Sequence, residues 1–283
     1  MVKIISVASA KGGVGKTVTV ANLGVALAGV FKKNVVVIDC NLSNPHLGLY
    51  LGMFSTWPVT LNSVLNNEAD LEKAMHKHAT GLRVIPASFE VRDLQGMTLQ
   101  RLRSRIRSTF NGYDTDMVIL DSSPGITKEA FLTVRAADEI LFVATPHIPA
   151  IVDITKCCHM LKRTDANPVG IAMNRVRNQK YELRDEEVYK FTKLPILAKI
   201  PEDEHVLRST NFKIPVVSMM PRAGASRAFV RLAAVISGEE YQPPGEGILA
   251  RLFGRFRGRH AEEDAGFESL AKSRHDFIAH PLR

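Results

Sequence analysis

Lys11, Lys16 and Thr17, spaced by Gly12, Gly13, Val14 and Gly15 in the run KGGVGKT, are residue types whose order suits them to hold phosphate. Glycines free the backbone to turn successive N–H groups toward phosphate oxygens, and the positive end of a following helix adds to the attraction. Lys16 would face the β- and γ-phosphates of a nucleotide, and the Thr17 hydroxyl would hold Mg²⁺. A second acid-bearing element, MVILDSSPG at residues 117–125, ends an apolar run in Asp121. That places a carboxylate at the carboxyl edge of a parallel sheet, where a Mg²⁺ shell would form, and Pro124 and Gly125 let the chain turn beside it.

Positioning these groups requires strands that end where helices begin. β-rich runs at Lys3 to Ala8, Asn34 to Ile38, Leu82 to Pro86, Met117 to Leu120, Glu139 to Ala144 and Pro168 to Met173 alternate with helix-length segments. The expected helices are Lys16 to Val30, Leu61 to Leu65, Leu99 to Thr109, Ala150 to Leu161, Glu186 to Phe191 and Ser226 to Ile236. This alternation predicts an α/β fold: a mostly parallel, twisted sheet with helices on both faces. The chain has 283 residues, 45% of them apolar, enough for one large core. No apolar run reaches the roughly 18 residues of a membrane span, and the N-terminus lacks the regions of a signal peptide. Cys40, Cys157 and Cys158 form neither a disulfide framework nor a CxxC metal site, and no histidine pair has HExxH-like spacing. A cytoplasmic location is the expectation.

The phosphate loop departs from the ordinary pattern: Ala10 stands where the first glycine usually lies, and Lys11 precedes Gly12. This form resembles the MinD/ParA class of deviant Walker A ATPases, the MinD branch best, over about residues 1 to 259. The resemblance implies a P-loop fold with ATP and Mg²⁺ at the carboxyl edge of the sheet, and an ATP-driven homodimer in which Lys11 reaches the partner's phosphates. It implies nucleotide contacts from Lys11, Gly12, Gly13, Val14, Gly15, Lys16, Thr17 and Val18. In the second half it adds Asn174, whose amide would read the adenine edge, together with Arg175, Pro201 and Glu202. Metal contacts fall on Thr17, Asp39 and Asp121. The catalytic set is Lys11, Lys16, Asp39 and Asn41.

Asn41 is the departure that matters. Relatives carry Asp-x-Asp here, the first acid near Mg²⁺ and the second positioning the attacking water; this chain has Asp39, Cys40 and Asn41. An amide accepts a hydrogen bond from water but carries no negative charge and takes up no proton, so hydrolysis is expected to be slow. The other reading makes Asn41 a loop-shaping residue and leaves the water to Asp39 or a backbone carbonyl. Cys40 between them reads as a buried small apolar residue. Asp153 matches a position that in relatives holds the signature lysine or meets a regulator; it reads equally as a solvated helix acid.

The net charge of +8 calls for an anionic partner. Arg101, Arg103, Arg105 and Arg107 lie around an apolar seam of Leu99, Leu102 and Ile106, which favours an amphipathic helix with a solvated face over a DNA surface. A P-loop domain at 1–237 is followed by a Pro/Gly linker at 238–246, an amphipathic segment at 247–259 and a tail of unknown role at 260–283. In GILARLFGRFRGR, Ile248, Leu249, Leu252, Phe253 and Phe256 make one apolar face, with arginines mainly outside it. The segment resembles the membrane-targeting helix of the MinD branch and suits an anionic membrane surface better than docking on its own domain. The implied protein is peripheral on the inner face of the cell membrane and positions cell-division or other surface machinery, with a protein regulator or cargo as further partner. A ParA-like segregation ATPase, DNA-bound, and a non-hydrolysing ATP-bound scaffold are the alternatives.

Overall fold

A computed structural model describes residues 1–53, 57–90, 99–161 and 164–241. The chain divides into two compact units, Met1–Glu240 and Tyr241–Arg283. The amphipathic segment at 247–259 and the tail lie outside the described residues.

Among the described residues eight strands form one sheet: β1 (Lys3–Ala8), β2 (Val35–Cys40), β3 (His76–Lys77), β4 (Arg83–Ile85), β5 (Met117–Ser122), β6 (Glu139–Ala144), β7 (Asn167–Val176) and β8 (Ile196–Pro201). Their order is β3-β4-β2-β5-β1-β6-β7-β8, with every pairing parallel except β3 with β4. The central runs VVVI and MVIL are β-branched and apolar because both faces of a parallel sheet are covered. β2 and β5 each extend two residues beyond the expected ends, and their register sets Asp39 directly opposite Asp121.

Among the described residues ten α-helices join the strands: α1 (Lys16–Val25), α2 (Leu47–Tyr50), α3 (Leu61–Leu65), α4 (Leu102–Phe110), α5 (Lys128–Arg135), α6 (Ile148–Leu161), α7 (Asp185–Thr192), α8 (Glu204–Asn211), α9 (Val216–Met219) and α10 (Gly224–Ser237). On one face Ile4, Val36, Ile38, Val118 and Leu120 pack with Leu61 and Val64 of α3 and Leu102, Ile106 and Phe110 of α4. Val37, alternating to the other face, meets α1 at Gly24. Two strands escape the sequence reading for a shared reason: β3 is two residues long, and β8 is a half-buried edge strand that mixes Lys199 and Pro201 with apolar residues. α5 is also additional, and its start is written in Thr127, whose hydroxyl caps it by accepting from the Ala130 N–H at 3.1 Å.

The arginines of α4 are structural. Arg103 donates to the Ala137 carbonyl and to Asp138 Oδ1, both at 2.8 Å, and Arg107 reaches the same Oδ1 at 2.6 Å. Arg105 donates to the Val64 carbonyl and so ties α4 to α3. These side chains stitch the lower edge of the sheet rather than forming a free basic stripe.

Gly24 lets α1, and with it the phosphate loop, approach the sheet. A Cβ there would lie 2.9 Å from Val37 Cγ1 and 3.1 Å from Leu82 Cδ2. Gly24→Val is expected to lower the unfolding free energy by about 1–3 kcal/mol, as overpacked cores do. A urea midpoint unchanged from the native chain would contradict this packing.

Candidate functional site

The carboxyl ends of β1, β2 and β5 converge on the loop 9–15. Gly13 and Gly15 adopt φ of +77° and +92°, conformations that side chains with a Cβ resist. Gly15 caps α1, and its own carbonyl accepts from the Thr19 N–H at 2.9 Å. The Ser9 hydroxyl donates to the Lys11 carbonyl at 2.9 Å, so side chains bond the loop's carbonyls and its N–H groups are left for an anion.

At the centre lies a buried cluster of charge. Lys16 is 6% exposed and its ammonium sits 2.7 Å from Asp121 Oδ1, the carboxylate being fully buried. Asp121 Oδ2 has no hydrogen-bond partner among the described residues. Asp39, 1% exposed, accepts the Asn41 N–H on Oδ1 at 3.1 Å and the Leu47 N–H on Oδ2 at 3.0 Å. Burial, and then the neighbouring Asp121 carboxylate, push the Asp39 pKa up to about 8. Two buried carboxyl groups thus lie beside one lysine that bonds only Asp121, and this favours the neutral form of Asp39. An oxygen-ligating divalent cation fits this arrangement: it would take the unpartnered Asp121 oxygen, displace the Asp39 proton and use the half-buried Thr17 hydroxyl nearby in sequence.

Lys11 lies outside the cluster, its side chain half exposed, with its ammonium 3.4 Å from Asp153 on α6. Lys156 holds the same acid at 3.0 Å, and the Lys156 ammonium, with Lys11, keeps the Asp153 carboxyl below its usual range. Asn41 is buried; its side-chain amide donates to the Asn44 carbonyl at 2.7 Å, which makes it a loop-shaping group in this state. Burial, aided by Asp39, pushes the Cys40 thiol well up, consistent with an inert apolar role.

Asn174 reaches the loop from β7. Between Met173 and Val176 the strand gains a residue over β8, and Arg175 takes φ of +57°. This bulge aims Asn174 at the phosphate loop, where its amide donates to the Val14 carbonyl at 2.7 Å. Beside the loop opens a cleft of about 480 Å³ lined by Lys11, Gly12, Gly13, Val14, His147, Arg175, Arg177 and Glu202, among others. Pro201 ends β8 next to it, and the Glu202 N–H donates to the Val176 carbonyl at 2.9 Å. Val18 lies in the first turn of α1, where its carbonyl accepts from Asn22 at 2.8 Å.

The sequence reading overlooked Glu129, which accepts hydrogen bonds from the Leu42 N–H and, at 2.9 Å, from the Ser43 hydroxyl. No motif marks it; its place in the first turn of α5 was the available signal. Ile248, Leu249, Leu252, Phe253 and Phe256 lie outside the described residues. Among the described residues no helix is long and apolar enough to cross a membrane.

A phosphate loop at the carboxyl edge of a parallel sheet, backed by two buried acids and a lysine, defines a P-loop nucleotide-binding protein. Residues 5–216 match the CobQ/CobB/MinD/ParA nucleotide binding domain, and the chain belongs to that family. It is 34% identical over 238 residues to an ATP-binding protein of Methanocaldococcus jannaschii, covering 84% of this chain and 89% of that one. It is 30% identical to the septum site-determining protein MinD of Synechocystis, covering 85% and 91% of the two chains. Its fold matches the Pyrococcus horikoshii MinD complexed with Mg-ADP at a TM-score of 0.78 and 30% identity, over 83% of this chain and 96% of that one.

The raised Asp39 pKa fixes a sign for pH dependence. Its folded value, about 8, exceeds the ordinary 3.8, so folding takes up a proton between those values. Stability of the nucleotide-free chain is expected to be fullest near the acid end of that window and to fall as pH rises through it. Asp39→Asn should flatten the dependence, as read by urea midpoints at several pH values; parallel curves for both chains would contradict the assignment.

Proposed function

We propose that the chain is a MinD-like ATP-dependent switch that binds ATP with Mg²⁺, pairs into a homodimer, hydrolyses ATP slowly and attaches to an anionic membrane surface. The observation that carries this reading is the division of labour between the two loop lysines: Lys16 is buried on Asp121, whereas Lys11 is exposed at the mouth of the cleft. On binding, Lys16 would exchange Asp121 for the β- and γ-phosphates and release the carboxylate toward the metal side. Mg²⁺, when bound, supplies charge neutralisation of the phosphate oxygens. Lys11 would leave Asp153 for the phosphates held by a second copy. The Mg-ADP held by the Pyrococcus horikoshii MinD and the ATP-binding relative support the choice of nucleotide. Membrane attachment rests on the apolar face within residues 247–259: one short segment binds lipid marginally, and pairing two raises avidity by about 10²–10⁴. A duplex-DNA partner is disfavoured, since three arginines of α4 are bound within the fold.

The whole switch is tested by measuring nucleotide affinity, dimerisation and sedimentation with anionic vesicles. Lys16→Ala should abolish ATP binding. Lys11→Ala should retain most binding yet lose the ATP-dependent dimer and vesicle attachment, and Phe253→Glu should lose vesicles alone. A Lys11→Ala chain that dimerises normally on ATP, or a native chain that sediments equally with ADP and ATP, would refute the switch.

Asn41 carries no carboxylate and its amide is bound to the Asn44 carbonyl, which favours a second reading: an ATP-bound dimer that does not turn over. Positioned acid–base help is worth about 10²–10⁴ in rate. Asn41→Asp is therefore expected to raise turnover about tenfold or more without tightening ATP binding. Unchanged, measurable turnover in that variant would show that another group orients the water; a native chain that binds ATP without turnover would favour the scaffold.

A further inference from the structure

Glu129 belongs to no motif read from the sequence, yet it joins two loops that flank the buried acids. It lies half-buried in the first turn of α5, two residues past the capping Thr127. One carboxylate oxygen accepts the Leu42 N–H; the other accepts the Ser43 hydroxyl at 2.9 Å. Leu42 and Ser43 directly follow Asn41. A single carboxylate holding adjacent donors 86 and 87 residues away in sequence is a charge-assisted clamp with both oxygens used.

The clamp is one link in a chain of bonded loops. Asp39 holds the loop 41–47 by its ends, through the N–H groups of Asn41 and Leu47. Glu129 holds the stretch just after Asn41 to α5. The segment that leads from Asp121 to α5 is bonded in turn to the phosphate loop, since the Gly125 N–H donates to the Ser9 carbonyl at 2.9 Å. Ser123 adds a hydroxyl contact to Thr127 at 3.2 Å. The segment after Asp121 is thereby bonded to the phosphate loop on one side, and Glu129, where that segment enters α5, bonds it to the loop carrying Asn41 on the other.

We propose that Glu129 is a positioning residue that locks the Asn41 loop to the segment after Asp121, so that the two loops shift as one body when Asp121 changes partner. The part of this that concerns turnover rests on the ATPase reading above. Glutamine keeps a carbonyl oxygen for the Leu42 N–H and an amide that can donate to Ser43 Oγ, so Glu129→Gln preserves the clamp; alanine removes it.

The test uses the full chain and reads hydrogen exchange at the Leu42 amide together with steady-state ATP hydrolysis. Glu129→Ala is expected to speed Leu42 exchange by about ten- to a hundredfold, the equivalent of a lost hydrogen bond to a charged group. It should lower kcat by about tenfold or more with KM for ATP within about twofold, because a misplaced loop costs rate without costing binding. Glu129→Gln should stay near the native chain in both readouts. Native-like exchange at Leu42 in Glu129→Ala, equal losses in both variants, or a loss confined to KM would overturn the proposal. A native chain that binds ATP but does not turn it over defeats the hydrolysis reading alone, and Leu42 exchange in the two variants then decides the clamp.

Discussion

Two buried carboxyl groups facing one lysine are the constraint around which the rest of the molecule is arranged. Asp39 and Asp121 are brought opposite each other by the register of β2 against β5, and Lys16 reaches Asp121 from the first turn of α1. Their burial makes two full negative charges costly, so the neutral form of Asp39 is favoured while Asp121 keeps the lysine. The arrangement is satisfied only provisionally, with one oxygen of Asp121 left without a partner among the described residues. A site in that condition favours the arrival of a cation and of an anion that can take over the ammonium. A metal nucleotide brings both.

The surrounding loops read as consequences. Because the acids sit at strand ends, every loop leaving those strands touches the cluster: 41–47 through Asp39, 122–127 through Asp121, and 9–15 through Lys16. Hydrogen bonds from Gly125 to Ser9 and from Leu42 to Glu129 make a change at the centre a change in all three. Lys11 stands apart, at the cleft rather than in the cluster, with Asp153 as its partner. Its separation from Lys16 leaves the loop with one buried and one exposed ammonium.

The central strands and the phosphate loop were legible in the sequence because their physics is local. Continuous β-branched runs and glycines before Lys-Thr need no tertiary context to be understood. Strand β8 was not, since Lys199 and Pro201 suit an edge strand that β-propensity alone does not mark. The α4 arginines show the same limit: their spacing describes a polar face, but Asp138 and the Val64 and Ala137 carbonyls that bind them come from other elements. Glu129 was invisible for that reason, its two donors lying far off in the chain. Asn41 was identified as a departure from its relatives, whereas its bond to Asn44 could only be seen in the fold.

The charge state of Asp39 is what most directly distinguishes a site governed by its buried acid pair from one that is not. Calorimetric titration of the chain with Mg–ATP at neutral pH, in buffers of different ionisation enthalpy, measures protons released on binding. The native chain is expected to release about one proton more than Asp39→Asn, because the metal takes the place of the shared proton. Equal proton release from the two chains would show that Asp39 is already ionised, and that the buried pair does not set the state of the site.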